Sequence, residues 1–150
     1  MKARITFQDT NKGFLDGLFK TGGYIKNSGI SPVIQELINF RVSLMNGCAY
    51  CLDMHFKDAV HNGENPQRLY SIGAWRECPY YTAEEQAVLA YTEEVTLMHV
   101  KEETFEKLLQ FYDKQQIADI TLAIGMINVW NRMNIAFQTV PGGYQVGQYA

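Results

Sequence analysis

From about Lys114 to Phe137 the chain is apolar on most sides of a helical pattern, and Pro141-Gly142-Gly143 ends it. A helix this apolar has to be covered by its neighbours, so the segment predicts a central packing element. Asn128, Asn131, Arg132 and Asn134 interrupt the run, which rules it out as a membrane span. No alternating strand pattern of useful length appears anywhere else, and there is no repeat, linker or low-complexity tract. The remaining elements must therefore be helices as well.

Their starts and stops can be read locally. Ser31-Pro32 supplies an N-cap and a proline at the first helical position, followed by Val33, Ile34, Leu37, Ile38 and Met45 as an apolar face. Gly47 is placed to end that helix. A second helix is expected from near Cys48 to about His61, stopped by Asn62-Gly63, and a short one after Glu64-Asn65-Pro66. Thr82-Ala83-Glu84-Glu85 forms a capping box, with Ala87, Ala90, Tyr91, Val95 and Met98 continuing the stripe. A shorter helix is expected from about Glu102 to Tyr112. The expected fold class is all-α: one domain over residues 1–150, with a core of about 15–143 and short tails.

The net charge is −3 and the 13 basic residues are scattered, so no run exists to neutralise phosphates and nucleic acid is not an expected partner. Met1-Lys2-Ala3-Arg4-Ile5-Thr6-Phe7 lacks the apolar region of a signal peptide, which makes the cytoplasm the expected location. The acidic excess between Glu84 and Glu106 reads as a solvated face. Nine tyrosines, eight phenylalanines and six methionines suggest more apolar surface than a small monomer needs, hence a homo-oligomer.

Chemistry concentrates in Asn46-Gly47-Cys48-Ala49-Tyr50-Cys51-Leu52-Asp53-Met54-His55. Three cysteines make no disulfide framework, and a reducing compartment would not maintain one. Cys48 and Cys51, two adjacent thiols, therefore read as catalytic or metal-binding, whereas Cys78 beside Pro79 reads as an incidental buried or half-buried thiol. Cys48, Cys51 and His55 fall at i, i+3 and i+7 and share a helix face. At the helix start, free N–H groups and the dipole favour a thiolate, most strongly at Cys48. A thiol of pKa near 8.5 is only a few per cent ionised at pH 7, so lowering it to about 6 raises the thiolate roughly thirtyfold. Glu36, on the preceding helix, is positioned to hydrogen-bond His55, directly or through water, once Gly47 lets the two helices fold together.

The rivals are weighed on spacing. Cys48, Cys51 and His55 with His61 or Glu36 resemble a zinc set in composition, but structural zinc usually draws a second ligand pair from a separate segment. Residue 52 is leucine, so the haem-attachment pattern is absent, and no βαβ setting supports a thioredoxin-type site. His61 and His99 read as satisfied core residues near helix ends.

Glu36, eleven intervening residues, Cys48-Ala49-Tyr50-Cys51, three intervening residues and His55 resemble the pattern of the alkyl hydroperoxidase D (AhpD-like) family. That family belongs to the carboxymuconolactone decarboxylase superfamily. Pro32, Asn46-Gly47, and Asn131-Arg132 through Pro141-Gly142 extend the likeness, which is tight over residues 32–60 and looser over 15–143. The resemblance implies an AhpD-like helical bundle with the CxxC at the start of a helix, acting as a thiol-dependent peroxidase on alkyl hydroperoxide or hydrogen peroxide. It implies Cys51 as the peroxidatic cysteine, Cys48 as the resolving one, and His55 with Glu36 as the proton relay. His55 is also the nearer base to Cys51, which agrees with that order. No cofactor is implied beyond the Cys48–Cys51 pair and an external dithiol reductant such as a lipoylated protein. Assembly is implied to be a trimer or a hexamer built as a trimer of dimers. Tyr50 departs from the family, whose best-known peroxidases carry histidine there. The alternatives are a general thiol–disulfide oxidoreductase, a carboxymuconolactone decarboxylase-like enzyme, and a non-enzymatic thiol sensor or zinc-binding assembly module.

Overall fold

The computed structural model describes residues 1–149. Among them are seven α-helices and no strand: α1 Asp16–Lys26, α2 Pro32–Asn46, α3 Ala49–His61, α4 Pro66–Ser71, α5 Ala83–Thr96, α6 Glu102–Leu108 and α7 Lys114–Phe137. Short 3-10 segments at Phe7–Asp9 and Ile72–Glu77 complete the regular structure. The all-α expectation holds.

The local stops and starts explain most boundaries. Ser31 Oγ accepts from the Ile34 N–H, and Pro32 has no N–H to leave unsatisfied at the first position of α2. Gly47 ends that helix at φ +68°, a left-handed conformation that glycine adopts without a Cβ clash. With only Gly47 and Cys48 between them, α2 and α3 turn back on each other and pack. Thr82 and Glu85 cap α5 reciprocally, and Asp113 and Gln116 do the same for α7.

Packing corrects several expectations. The centre is shared, because α2 packs against α3, α5 and α7, while α7 keeps Leu122, Val129 and Ile135 exposed. Ile30, Ile34, Ile38 and Val42 recur every fourth residue and meet Val88 and Tyr91 of α5 and Ile120, Ile124 and Ile127 of α7. Leu37 and Phe40, on the other flank of α2, pack with Leu69, Ile72, Trp75 and Leu89. Val33, assigned to the apolar face, lies outside this stripe and is exposed. The helix expected to reach Tyr112 ends at Leu108.

The acidic segment is not uniformly solvated. Glu93 is buried against Arg41, Arg76 and the Trp75 N–H, and Glu85 against Arg68, since each has at least one cation from another element to compensate its burial. His61 and His99 are exposed rather than core residues. Helix α1 had no sequence signal, because Gly17, Gly22 and Gly23 depress helix propensity. It forms against α7, with the Phe19 ring on Trp130 and the Tyr24 hydroxyl donating to Asp119 (2.8 Å). No described helix is long and apolar enough to cross a membrane.

Candidate functional site

The turn between α2 and α3 brings all four sequence-identified residues together. Cys48 is the N-cap of α3, with extended backbone at φ −84° and ψ 93°, and its Sγ accepts the Cys51 N–H at 3.3 Å. It thus stands just outside the helix, while Cys51 and His55 lie on the helix proper, one turn apart. That non-helical cap lets the sulfurs meet, and they are joined as a disulfide with a Cα–Cα distance of 5.3 Å. Both cysteines are only 1% exposed. Cys78 is a free, half-buried thiol whose Sγ lies 3.9 Å from the Ser71 carbonyl.

Glu36 contacts His55 directly, Oε2 to Nδ1 at 3.1 Å, with side chains 21% and 9% exposed. An ionised carboxylate only accepts, so Nδ1 carries the hydrogen and Nε2 of the neutral ring presents its lone pair. Nε2 is buried and has no partner among the described residues. The Glu36–His55 hydrogen bond, expected directly or through water, is direct.

Cys51 and His55 line a cavity of about 760 Å³ whose other walls are mainly apolar, including Leu18, Phe19, Ile25, Met54, Met126 and Trp130. Cys48 is not among its lining residues. Four helices contribute to it: α1 and α7 supply most of the apolar wall, α2 adds Gln35 and Asn39, and α3 supplies the sulfur and the imidazole. Helix α1, which the sequence did not signal, is therefore a wall of the site.

Tyr50 also lines the cavity, and its hydroxyl is 2.9 Å from that of Tyr149. Burial, followed by the Tyr149 hydrogen bond, pushes its pKa well above the ordinary phenol value. Tyr50 thus stays protonated at neutral pH.

Sequence reasoning treated the C-terminus as a simple tail. Instead it folds back along α3. Lys57 Nζ donates to Asp53 (2.9 Å) and to the Tyr144 carbonyl (3.1 Å), and the Gly142 N–H donates to Asp53 (2.9 Å). The Tyr144 hydroxyl donates to Asp58 (2.8 Å), and burial together with that carboxylate pushes the phenol up to about 12. These ties bring Tyr149 to the cavity wall.

A second omission lies on α7. Asn128, Asn131 and Asn134 are all buried, and Asn134 Nδ2 approaches Cys51 Sγ at 3.7 Å. Their spacing of three, within an apolar helix, was the available signal for one buried polar face. His61, weighed as a zinc ligand, is exposed at the far end of α3. Among the described residues no cluster of three or more His, Cys, Asp or Glu side chains is arranged to hold a metal ion.

The sequence and the fold have close parallels. A family model described as the carboxymuconolactone decarboxylase family matches residues 9–94. The uncharacterised protein YdfG of Bacillus subtilis is 40% identical over 139 residues, covering 91% of this chain and 95% of that protein. The alkyl hydroperoxide reductase AhpD of Streptomyces coelicolor is 39% identical over 69 residues, covering 44% of this chain and 39% of that protein. A solved structure from Agrobacterium tumefaciens, a protein of unknown function given the AhpD antioxidant-defence designation, superposes with a TM-score of 0.90 at 33% identity. The match covers 95% of this chain and 100% of that one. The chain belongs to the carboxymuconolactone decarboxylase family, in its AhpD-like branch.

Proposed function

We propose that this protein is a thiol-dependent peroxidase that reduces an organic hydroperoxide or hydrogen peroxide, with antioxidant defence as its role. One observation carries the reading. Of the two cysteines, Cys51 alone lines the apolar cavity, which His55, one helical turn on, lines too, and Cys48 is bonded to Cys51 from outside that lining.

In the reduced protein, His55 Nε2 takes the Cys51 thiol proton and Glu36 stabilises the imidazolium that forms. The Cys51 sulfur attacks the terminal peroxide oxygen and the O–O bond breaks. The leaving oxygen takes the proton from His55, giving an alcohol, or water from hydrogen peroxide. Cys51 is left as a sulfenic acid, which Cys48 attacks to form the disulfide and release water. An external dithiol then returns the pair to thiols, with no bound cofactor needed. Tyr50, held protonated, takes no part in the relay, so the path runs from Cys51 to His55 and Glu36 alone.

Burial discriminates against a general protein disulfide exchanger. Both cysteines are only 1% exposed, which keeps a folded protein disulfide away, whereas a small dithiol or a lipoyl group on its slender arm fits the cavity that Cys51 lines. The proposed reductant is therefore a small or lipoyl-type dithiol, and the proposed location is the cytoplasm, where dithiols stay reduced.

The test is peroxide consumption with a dithiol donor. Wild-type protein should turn over. Cys51→Ser should lose activity, and Cys48→Ser should stop after one equivalent with a trappable sulfenic acid at Cys51. Equal consumption by wild type and Cys51→Ser would rule the proposal out.

A further inference from the structure

The three buried asparagines of α7 are not equivalent. Asn131 uses both ends of its amide, donating to Ser43 Oγ (3.1 Å) and accepting from Asn46 Nδ2 (3.0 Å). Asn128 does so too, donating to the Ile124 carbonyl (2.9 Å) and accepting from Asn46 (3.0 Å) and Arg132 (3.1 Å). Asn134, 6% exposed, donates through Nδ2 to the Trp130 carbonyl (3.0 Å) and toward Cys51 Sγ (3.7 Å). Its Oδ1 is buried with no partner among the described residues.

The amide orientation follows from its neighbours. The Trp130 carbonyl can only accept, so the nitrogen must face it and the oxygen must point away. Asn134, Cys51 and His55 all line the one cavity. Two buried polar atoms without a partner among the described residues, Asn134 Oδ1 and His55 Nε2, thus belong to side chains that line the same cavity as Cys51. An unsatisfied buried acceptor ordinarily destabilises a fold, and here the open acceptor belongs to the one asparagine of the three that touches the sulfur.

We propose that Asn134 is a further catalytic residue of the Cys51 reaction, its Nδ2 donating to the sulfur and its Oδ1 accepting the hydroperoxide hydrogen. The assignment rests on the peroxidase reading above. In the reduced protein the Cys51 thiolate becomes the acceptor of the Asn134 N–H, a charge-assisted bond that favours ionisation. The hydroperoxide ROOH then donates its O–H to Oδ1, which holds the terminal oxygen in front of the sulfur. As S–O forms and O–O breaks, the RO oxygen takes the His55 Nε2 proton and leaves as ROH. The hydroxyl stays on sulfur as the sulfenic acid, still donating to Oδ1. Cys48 displaces it as water, the second proton coming from the Cys48 thiol.

Asn134→Leu removes both polar ends at similar volume, and Asn134→Asp keeps the shape but replaces the donor with a carboxylate. The first readout is the pH profile of Cys51 alkylation by iodoacetamide in a Cys48→Ser, Cys78→Ser background, which needs no peroxide. The second is the rate of Cys51 oxidation by cumene hydroperoxide with Cys48 present, and the third is thermal melting. Both variants should move the alkylation midpoint upward and slow oxidation roughly ten- to a hundredfold, the worth of a hydrogen bond to a charged group. Asn134→Leu should melt no lower than wild type, since it also removes an unsatisfied acceptor. An unmoved midpoint in a peroxide-competent protein would overturn the role of Asn134 alone. Wild-type protein that consumes no peroxide would overturn the peroxidase reading and this role together.

Discussion

Replacing Glu36 by Gln isolates the contribution of one negative charge to the relay. Glu36 Oε2 lies 3.1 Å from His55 Nδ1, and the side chains are 21% and 9% exposed. At a charge separation of about 4 Å, a carboxylate stabilises an imidazolium by ~4 kcal/mol in a protein-like dielectric and ~1 kcal/mol in water. Partial exposure of Glu36 sets the expected value between these limits, at about 2–3 kcal/mol. Glutamine keeps the shape and a hydrogen bond, but its amide can donate to Nδ1 and move the ring hydrogen to Nε2. There it blocks acceptance of the thiol proton. The second-order rate of Cys51 oxidation should therefore fall roughly a hundredfold, since each 1.36 kcal/mol is a factor of ten. Stopped-flow loss of free thiol against peroxide concentration measures it. In a His55→Asn background the same substitution should change the rate less than about threefold, because Glu36 acts only through the ring. Tyr50→Phe is the control and should leave the rate within about threefold of wild type, because a phenol this strongly protonated transfers no proton. Additive losses from Glu36→Gln and His55→Asn, or a severe loss from Tyr50→Phe, would refute the two-residue relay.

Glu93 sets the acid limit of the fold. Burial pushes its carboxyl up, but hydrogen bonds from Trp75 and Arg76 and the Arg41 charge together pull it below the ordinary value of 4.5. A depressed carboxylate contributes stability that is fully present above 4.5 and is lost as pH falls through the lower folded value. Urea midpoints should decline in that window for wild type and less steeply for Glu93→Gln. Glu93→Ala should cost about 1.5–3 kcal/mol near neutral pH, because it leaves the half-buried Arg41 and the Trp75 N–H without their acceptor. Phe14, Phe19 and Tyr24 on or beside α1, and Leu122, Val129 and Ile135 on α7, leave apolar surface exposed on neighbouring helices. We therefore propose a homo-oligomer, which the AhpD-like resemblance implies to be a trimer or a trimer of dimers, and a monomer by light scattering at micromolar concentration would contradict this.

What could be read in advance was what depends on near neighbours in the chain. Ser31-Pro32, the Thr82/Glu85 box and Gly47 act within four residues of themselves, so their chemistry is written locally. Cys48, Cys51 and His55 share one short segment, and Glu36 joins them because a two-residue turn folds α2 onto α3. Helix α1 escaped detection because its three glycines argue against a helix and its support comes from Trp130 and Asp119, about a hundred positions away. Glu93 looked like solvated surface because its cation Arg41 is 52 residues distant.

The α7 asparagines are the most instructive miss. Read singly, Asn128, Asn131 and Asn134 are polar breaks in an apolar run, and that was enough to exclude a membrane span. Read by spacing, they fall on one face of a helix that has to be covered, and a covered amide requires partners. Asn46 Nδ2 donates to the side-chain oxygens of the first two, across the α2–α7 contact. The third meets the sulfur of Cys51, 83 residues earlier, and keeps its oxygen free. A regular polar face inside an apolar helix thus already implied a site between α7 and another element. Only the tertiary arrangement identified Cys51 as the group the open amide meets.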